Sequence, residues 1–279
     1  MEIRRSEKAG IHITSIKGQD LPLEAEKNVA GVSGLAMLKA HNPQLGFEIR
    51  IEKNIKPGSG IGSSAASAAG TVAGINYLLG NPFTNKELIP FAMEGERLAC
   101  GSAHADNVAP ALLGGFTLVR DTNPLDICAL PTPLELVATV IHPKIEVKTA
   151  DARAVLKKRV TLEKAISQWG NVGALVSSLY EEDYDLLSRS LIDCIVEPTR
   201  AILIPHFNEL KAACKEAGAL GSGISGSGPS VFALSKGMPV ANKVAQAMQS
   251  VFEETKIPFD IHVSPVKKTG VSVIEDLLT

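Results

Sequence analysis

Phe47-Glu-Ile-Arg-Ile-Glu-Lys-Asn-Ile55 runs directly into Lys56-Pro57-Gly58-Ser59-Gly60-Ile61-Gly62-Ser63-Ser64-Ala65-Ala66. The first part alternates apolar and charged side chains at period two, which describes a half-buried strand with Phe47, Ile49 and Ile51 pointing inward. Three glycines at every second position follow. From Ala65 to Leu79 the chain then carries good helix formers and small residues, able to pack closely against a sheet or a ligand. The unit reads strand, glycine loop, helix.

Working outward, a second helix is expected from about Asn85 to Ala99, stopping at Gly101-Ser102, and Gly114 to Val119 reads as a turn and a strand. The proline-rich stretch from Asn123 to Pro133 reads as a linker, dividing a domain over residues 1–126 from a second over 134–279. In the second, Leu134 to Ile141 is an apolar, β-branched strand. Helices are expected over Asp151–Lys158, Thr161–Tyr180, Tyr184–Val196 and Phe207–Ala217. A second glycine loop spans Gly218 to Pro229, and after it come a strand at Ser230–Ser235, a helix at Val240–Thr255 and a strand at Phe259–Val263.

Length and composition set the class. The 279 residues suffice for one large domain or two ordinary ones, each with its own core. A composition of 45% hydrophobic and 21% charged residues at net charge −2 describes an ordinary globular protein, with no basic excess for nucleic acid and none for a membrane surface. The N-terminus has no apolar run of signal-peptide type. Cys100, Cys128, Cys194 and Cys214 are widely spaced, without C-x-x-C pairs or a zinc-type histidine spacing, so a reducing cytoplasm is the expected location.

Glycines and serines at a helix start let backbone N–H groups converge where the helix dipole favours negative charge, so a phosphate is the natural guest. Taken alone, the glycine trio reads equally as a tight structural turn. Two known phosphate signatures fail on spacing. A dinucleotide fingerprint requires glycine where Ser63 stands, and a Walker A loop requires a lysine that is not there. The second loop, with four glycines between Gly221 and Gly228, resembles the first in composition and suggests a shared cleft. Between them, Glu96, His104, Asp106 and Asn107 gather acidic, imidazole and amide groups near a helix end. One carboxylate beside phosphate loops suits Mg²⁺. Singly, Glu96 reads as a solvated helix carboxylate and His104 as a structural histidine. Arg153 and Arg200 have the planar fork that pairs with a carboxylate, although each in isolation reads as half of a surface ion pair.

The motifs Pro57-Gly-Ser-Gly-Ile-Gly-Ser-Ser-Ala-Ala-Ser67, His104-Ala-Asp-Asn-Val-Ala-Pro110 and Gly221-Ser-Gly-Ile-Ser-Gly-Ser-Gly-Pro229 together resemble those of the homoserine kinases in the GHMP kinase superfamily. Val147 to Arg153 and Glu197-Pro-Thr-Arg200 add to the likeness. The resemblance implies a two-domain α+β fold, with a nucleotide-binding N-terminal domain containing a left-handed βαβ crossover and a ferredoxin-like C-terminal domain. It implies ATP and Mg²⁺ as cofactors, L-homoserine as substrate, a place in threonine biosynthesis, and a homodimer. By the same resemblance, Lys56 through Ala66 cradle the ATP phosphates and Glu96 and Ser64 meet the metal. Asn107 orients the reacting hydroxyl, and His104, Asn107, Arg153, Arg200 and Gly226 surround the amino acid. Members of the family usually open with a further strand and an A-x-x-A-N-x-x-x-G-F-D-x-L-G segment. Here Met1-Glu-Ile-Arg-Arg matches the strand after it, which leaves two readings: a longer and active cellular protein, the preferred one, or a short chain whose first sheet and substrate site are incomplete. Three other readings stay open at this point: another GHMP kinase such as a mevalonate-pathway enzyme, a non-catalytic ATP-binding protein, and, disfavoured by spacing, a dinucleotide-dependent oxidoreductase.

Overall fold

The structure, a computed structural model, describes residues 1–145 and 155–274, and these form two compact units. In the first, β1 (Glu2–Ser6), β2 (Gly10–Lys17) and β3 (Gly46–Glu52) make a sheet of order β1-β3-β2. β1 pairs antiparallel and β2 parallel with β3. The parallel pair is joined through α1 (Val29–His41), giving the βαβ unit that parallel neighbours require. Phe47, Ile49 and Ile51 do face inward, and the core is completed by Met37 and Leu38 of α1, Val72 and Ile75 of α2 (Ser63–Leu78), and Leu88 and Ile89 of α3 (Asn85–Cys100). A Cβ on Gly95 would stand 2.3 Å from Ser33 Oγ and 2.7 Å from the Val29 carbonyl, so glycine is what lets α3 lie against α1.

A capping box starts α3. Thr84 Oγ1 accepts from the Glu87 N–H, and the Glu87 carboxylate accepts from the Thr84 N–H. After the short α4 (Val108–Leu113), the segment expected as a linker instead contains a strand. β5 (Leu125–Leu130) pairs with β4 (Phe116–Thr122), and Asp121 Oδ1 accepts the Thr122 and Asn123 N–H groups to shape the turn.

The second unit is built on β6 (Leu136–Pro143), β7 (Gly221–Ile224), β8 (Val231–Lys236) and β9 (Phe259–Pro265), in the order β7-β8-β6-β9 and antiparallel throughout. With α8 (Phe207–Glu216) before β7 and α9 (Met238–Glu253) before β9, the chain order β-α-β-β-α-β is the ferredoxin-like one. Ile141, Phe207, Leu210, Val231, Val244, Met248 and Phe252 form its core. Cys214 is buried in it, and burial pushes its thiol up to about 12. Three further helices, α5 (Leu162–Glu181), α6 (Tyr184–Ser190) and α7 (Glu197–Arg200), precede α8.

Two expectations are corrected here. The helix expected over Tyr184–Val196 ends at Ser190, because the Asp193 carboxylate takes the N–H groups of Ile195, Val196 and Glu197 and starts α7 afresh. The second glycine loop is part strand, since Gly221–Ile224 pairs with β8. Gly58–Ile61 groups with the second unit, and the described residues from Lys267 onward group with the first. The latter are held by Gly115 N–H to the Lys267 carbonyl at 2.7 Å and Val271 N–H to the Ala111 carbonyl at 2.8 Å. Half of the helix expected over Asp151–Lys158, residues 151–154, lies outside the described residues, and residues 155–158 are not helical.

Candidate active site

In the first unit the site is built around the start of α2. Gly62 occupies the N-cap at φ 74°, where a β-carbon is disfavoured, and no side chain caps the first turn. An uncapped N-terminus with no acidic residue in its first turn suits an anion. Two side chains hold this helix end in place. Ser63 Oγ donates to the Ile55 carbonyl at 2.6 Å, while Lys53 Nζ donates to the Ser63 carbonyl at 2.8 Å and to Ser67 Oγ at 2.6 Å. Lys53 is 8% exposed, and burial above all lowers its pKa while the Glu96 charge raises it.

Glu96, on α3, is 3% exposed, and its Oε1 has no hydrogen-bond partner among the described residues. Burial chiefly raises its pKa; a hydrogen bond from Ser64 opposes this, Asp106 adds to it, and His104 and Lys53 oppose it. Gly101, at φ 72°, ends α3 and turns the chain so that the 104–107 segment returns towards Glu96. His104, Asp106 and Asn107 are exposed, and the Asn107 side chain lies next to Gly62, where an added Cβ would stand 3.8 Å from its Oδ1. Glu96, Ser64, His104 and Asn107 are thus brought together.

In the second unit Gly58–Ile61 lies against the second glycine loop. Ser225 Oγ donates to the Gly60 carbonyl at 2.8 Å and Ser230 Oγ to the Ser59 carbonyl at 2.6 Å. A Cβ on Gly60 would stand 2.5 Å from the Ser225 carbonyl oxygen. Arg200, at the end of α7, donates to the Gly226 carbonyl at 3.4 Å, so these two expected residues also meet. Arg153 lies outside the described residues. Lys56 and Pro57 are exposed at the entrance to the loop. Among the described residues no group of three or more His, Cys, Asp or Glu side chains could hold a metal.

Sequence reasoning missed Lys53 and Ser230. The signal for Lys53 was present: it continues the inward parity of Phe47, Ile49 and Ile51, so a lysine there had to be buried and paired.

Models of the GHMP kinase N-terminal and C-terminal domains match residues 25–115 and 162–254. A homoserine kinase of Chlorobium phaeobacteroides (strain BS1) is 48% identical over 283 residues, covering 97% of this chain and 88% of the relative. The chain belongs to the homoserine kinase family. A more distant homoserine kinase, from Methanococcus maripaludis (strain C5), is 38% identical over 85% of the chain and 78% of its own length. The crystal structure of homoserine kinase from Cytophaga hutchinsonii matches at TM-score 0.92 and 52% identity, over 96% of this chain and 86% of that one. Mevalonate kinase of L. major, at TM-score 0.68 and 16% identity, shares the fold. As a homoserine kinase family member the chain is an ATP-using phosphotransferase with an alcohol group as acceptor, on the two-domain GHMP fold. No described helix is long and apolar enough to cross a membrane.

Proposed function

We propose that the chain transfers the γ-phosphoryl group of ATP to the hydroxyl of L-homoserine, giving O-phospho-L-homoserine and ADP, a step of threonine biosynthesis. The observation that carries this reading is the near-full-length likeness to homoserine kinases, and the geometry around α2 supports it. In the reaction the hydroxyl oxygen attacks the γ-phosphorus, the hydroxyl loses its proton, and the bond to the β,γ-bridging oxygen breaks. Positioning and electrostatics supply most of the acceleration in such transfers.

Residues 56–66 cradle the phosphates through backbone N–H groups and the open end of α2. Asn107, beside Gly62, orients the acceptor hydroxyl. Arg200 and Arg153 would take the substrate carboxylate, and by the likeness to homoserine kinases His104 and Gly226 are further residues for the amino acid. Mg²⁺ fits the residues present, because a buried carboxylate oxygen on Glu96 lacks a partner and the Ser64 hydroxyl bonds the same side chain. Glu96 and Ser64 would hold it, and its charge would offset that of the phosphates.

A homodimer is the accompanying assembly. Its support is the stripe on α5 formed by Leu162, Ile166, Trp169 and Tyr180, all exposed and apolar at helical spacing. Light scattering of the wild type and of Trp169→Glu tests it; a wild type of monomer mass removes the proposal. For the reaction, phosphorus NMR of a mixture of chain, ATP, Mg²⁺ and L-homoserine should reveal a new phosphomonoester on the amino acid. Formation of inorganic phosphate alone would contradict the reading.

A further inference from the structure

The second unit buries a histidine that no step of the reaction above uses. His142 lies near the end of β6, 6% exposed, with its Nδ1 3.0 Å from Ser230 Oγ. Ser230 has no exposed surface and its hydroxyl donates to the Ser59 carbonyl at 2.6 Å. A hydroxyl carries a single hydrogen. With that hydrogen committed to Ser59, Ser230 Oγ can only accept from the imidazole, so Nδ1 carries a proton. His142, Ser230 and Ser59 therefore form a directed chain, Nδ1–H to Oγ–H to carbonyl oxygen, in which each donor polarises the next.

The receiving end of this chain is the glycine loop. In a trans peptide the carbonyl and the following N–H point in opposite directions within one plane. Fixing the Ser59 carbonyl on Ser230 thus directs the Gly60 N–H the other way. The next carbonyl, that of Gly60, is fixed by Ser225 Oγ at 2.8 Å. Gly60 itself has no room for a β-carbon between the Ser225 and Gly228 carbonyls, at 2.5 and 2.8 Å. The loop backbone is accordingly set by the side chains of Ser230 and Ser225 rather than by its own glycines, which alone would leave it loose.

We propose that His142 is a positioning residue for the nucleotide: through Ser230 it orients the Ser59–Gly60 peptide so that the Gly60 N–H is presented to a phosphate oxygen. This rests on reading residues 56–66 as the phosphate cradle.

The test uses His142→Leu, Ser230→Ala, the double variant and His142→Asn, whose amide can donate in place of Nδ1–H. ADP affinity is measured by calorimetry, and KM is measured for both substrates. Each of the first two should weaken ADP binding about tenfold, the effect of one hydrogen bond, and leave KM for homoserine unchanged. The double variant should bind no more weakly than Ser230→Ala, and His142→Asn should recover most of the loss. A folded His142→Leu with wild-type ADP affinity overturns the proposal, as does a double variant whose losses multiply. Should the variants fail to fold, the imidazole ¹H–¹⁵N spectrum of the wild-type chain decides: a proton on His142 Nδ1 is expected, and its absence refutes the relay. A wild type that binds no ADP while His142 shows the expected tautomer removes the cradle reading and the nucleotide role, but leaves the hydrogen-bond chain standing.

Discussion

Lys53 Nζ donates to the Ser63 carbonyl at 2.8 Å, so the residue just past the last strand position holds the first residue of α2 across the whole glycine loop. The lysine that makes this brace also lies in the field of Glu96, and burial, the larger influence, makes each charge less favourable.

Lys53→Met should therefore destabilise the chain by about 3 kcal/mol, because it removes the buried, charged hydrogen bonds to the Ser63 carbonyl and Ser67 Oγ. Urea unfolding at neutral pH measures this. A loss within the scatter of ordinary surface substitutions would mean that Lys53 holds nothing.

Glu96→Gln separates stability from activity. The carboxyl pKa is raised in the fold above its unfolded value of about 4.3, so over that window the folded chain keeps a proton that the unfolded chain has released. Stability contributed by this group is therefore lost as pH rises through the window. The variant should show a flatter stability profile just above pH 4.3 and a kcat lower by about a hundredfold. Full kcat in the variant would remove Glu96 from the site.

Asn107→Ala should lower kcat by about a hundredfold with little change in KM for ATP, since orientation of the hydroxyl is lost while the phosphate loop is untouched. Steady-state kinetics with both substrates varied checks this, and an unchanged kcat excludes the orienting role.

Arg200→Lys keeps the charge but loses the planar fork. KM for homoserine should rise by about tenfold to a hundredfold, with KM for ATP unaffected. A rise in KM for ATP instead would move Arg200 to the nucleotide.

Gly95→Ala adds one carbon where Ser33 Oγ and the Val29 carbonyl already stand at 2.3 and 2.7 Å, and should cost about 2 kcal/mol through separation of α1 and α3. Thermal unfolding measures it.

How far the sequence could be read depends on how local each feature is. The alternation at Phe47, Ile49 and Ile51 and the glycine loop after it are local, and both are where the pattern puts them. The hairpin strand Leu125–Leu130 was hidden by the prolines around it, because its pairing with β4 and its Asp121 turn outweigh local propensity. Ser190 ends a helix that periodicity would extend to Val196, since one aspartate side chain competes successfully for the backbone. At the site, Glu96, Ser64, His104 and Asn107 were legible as a motif. The contacts of Ser59 with Ser230, 171 residues apart, and of His142 with Ser230, 88 apart, were not, because no local pattern encodes a pairing made by tertiary structure.

The choice of acceptor is read most directly from ADP release with ATP and Mg²⁺ when L-homoserine and mevalonate are offered separately at equal concentration. Release should be rapid with homoserine and at background with mevalonate. Turnover that prefers mevalonate, or ADP release that ignores the acceptor altogether, would contradict homoserine as the acceptor.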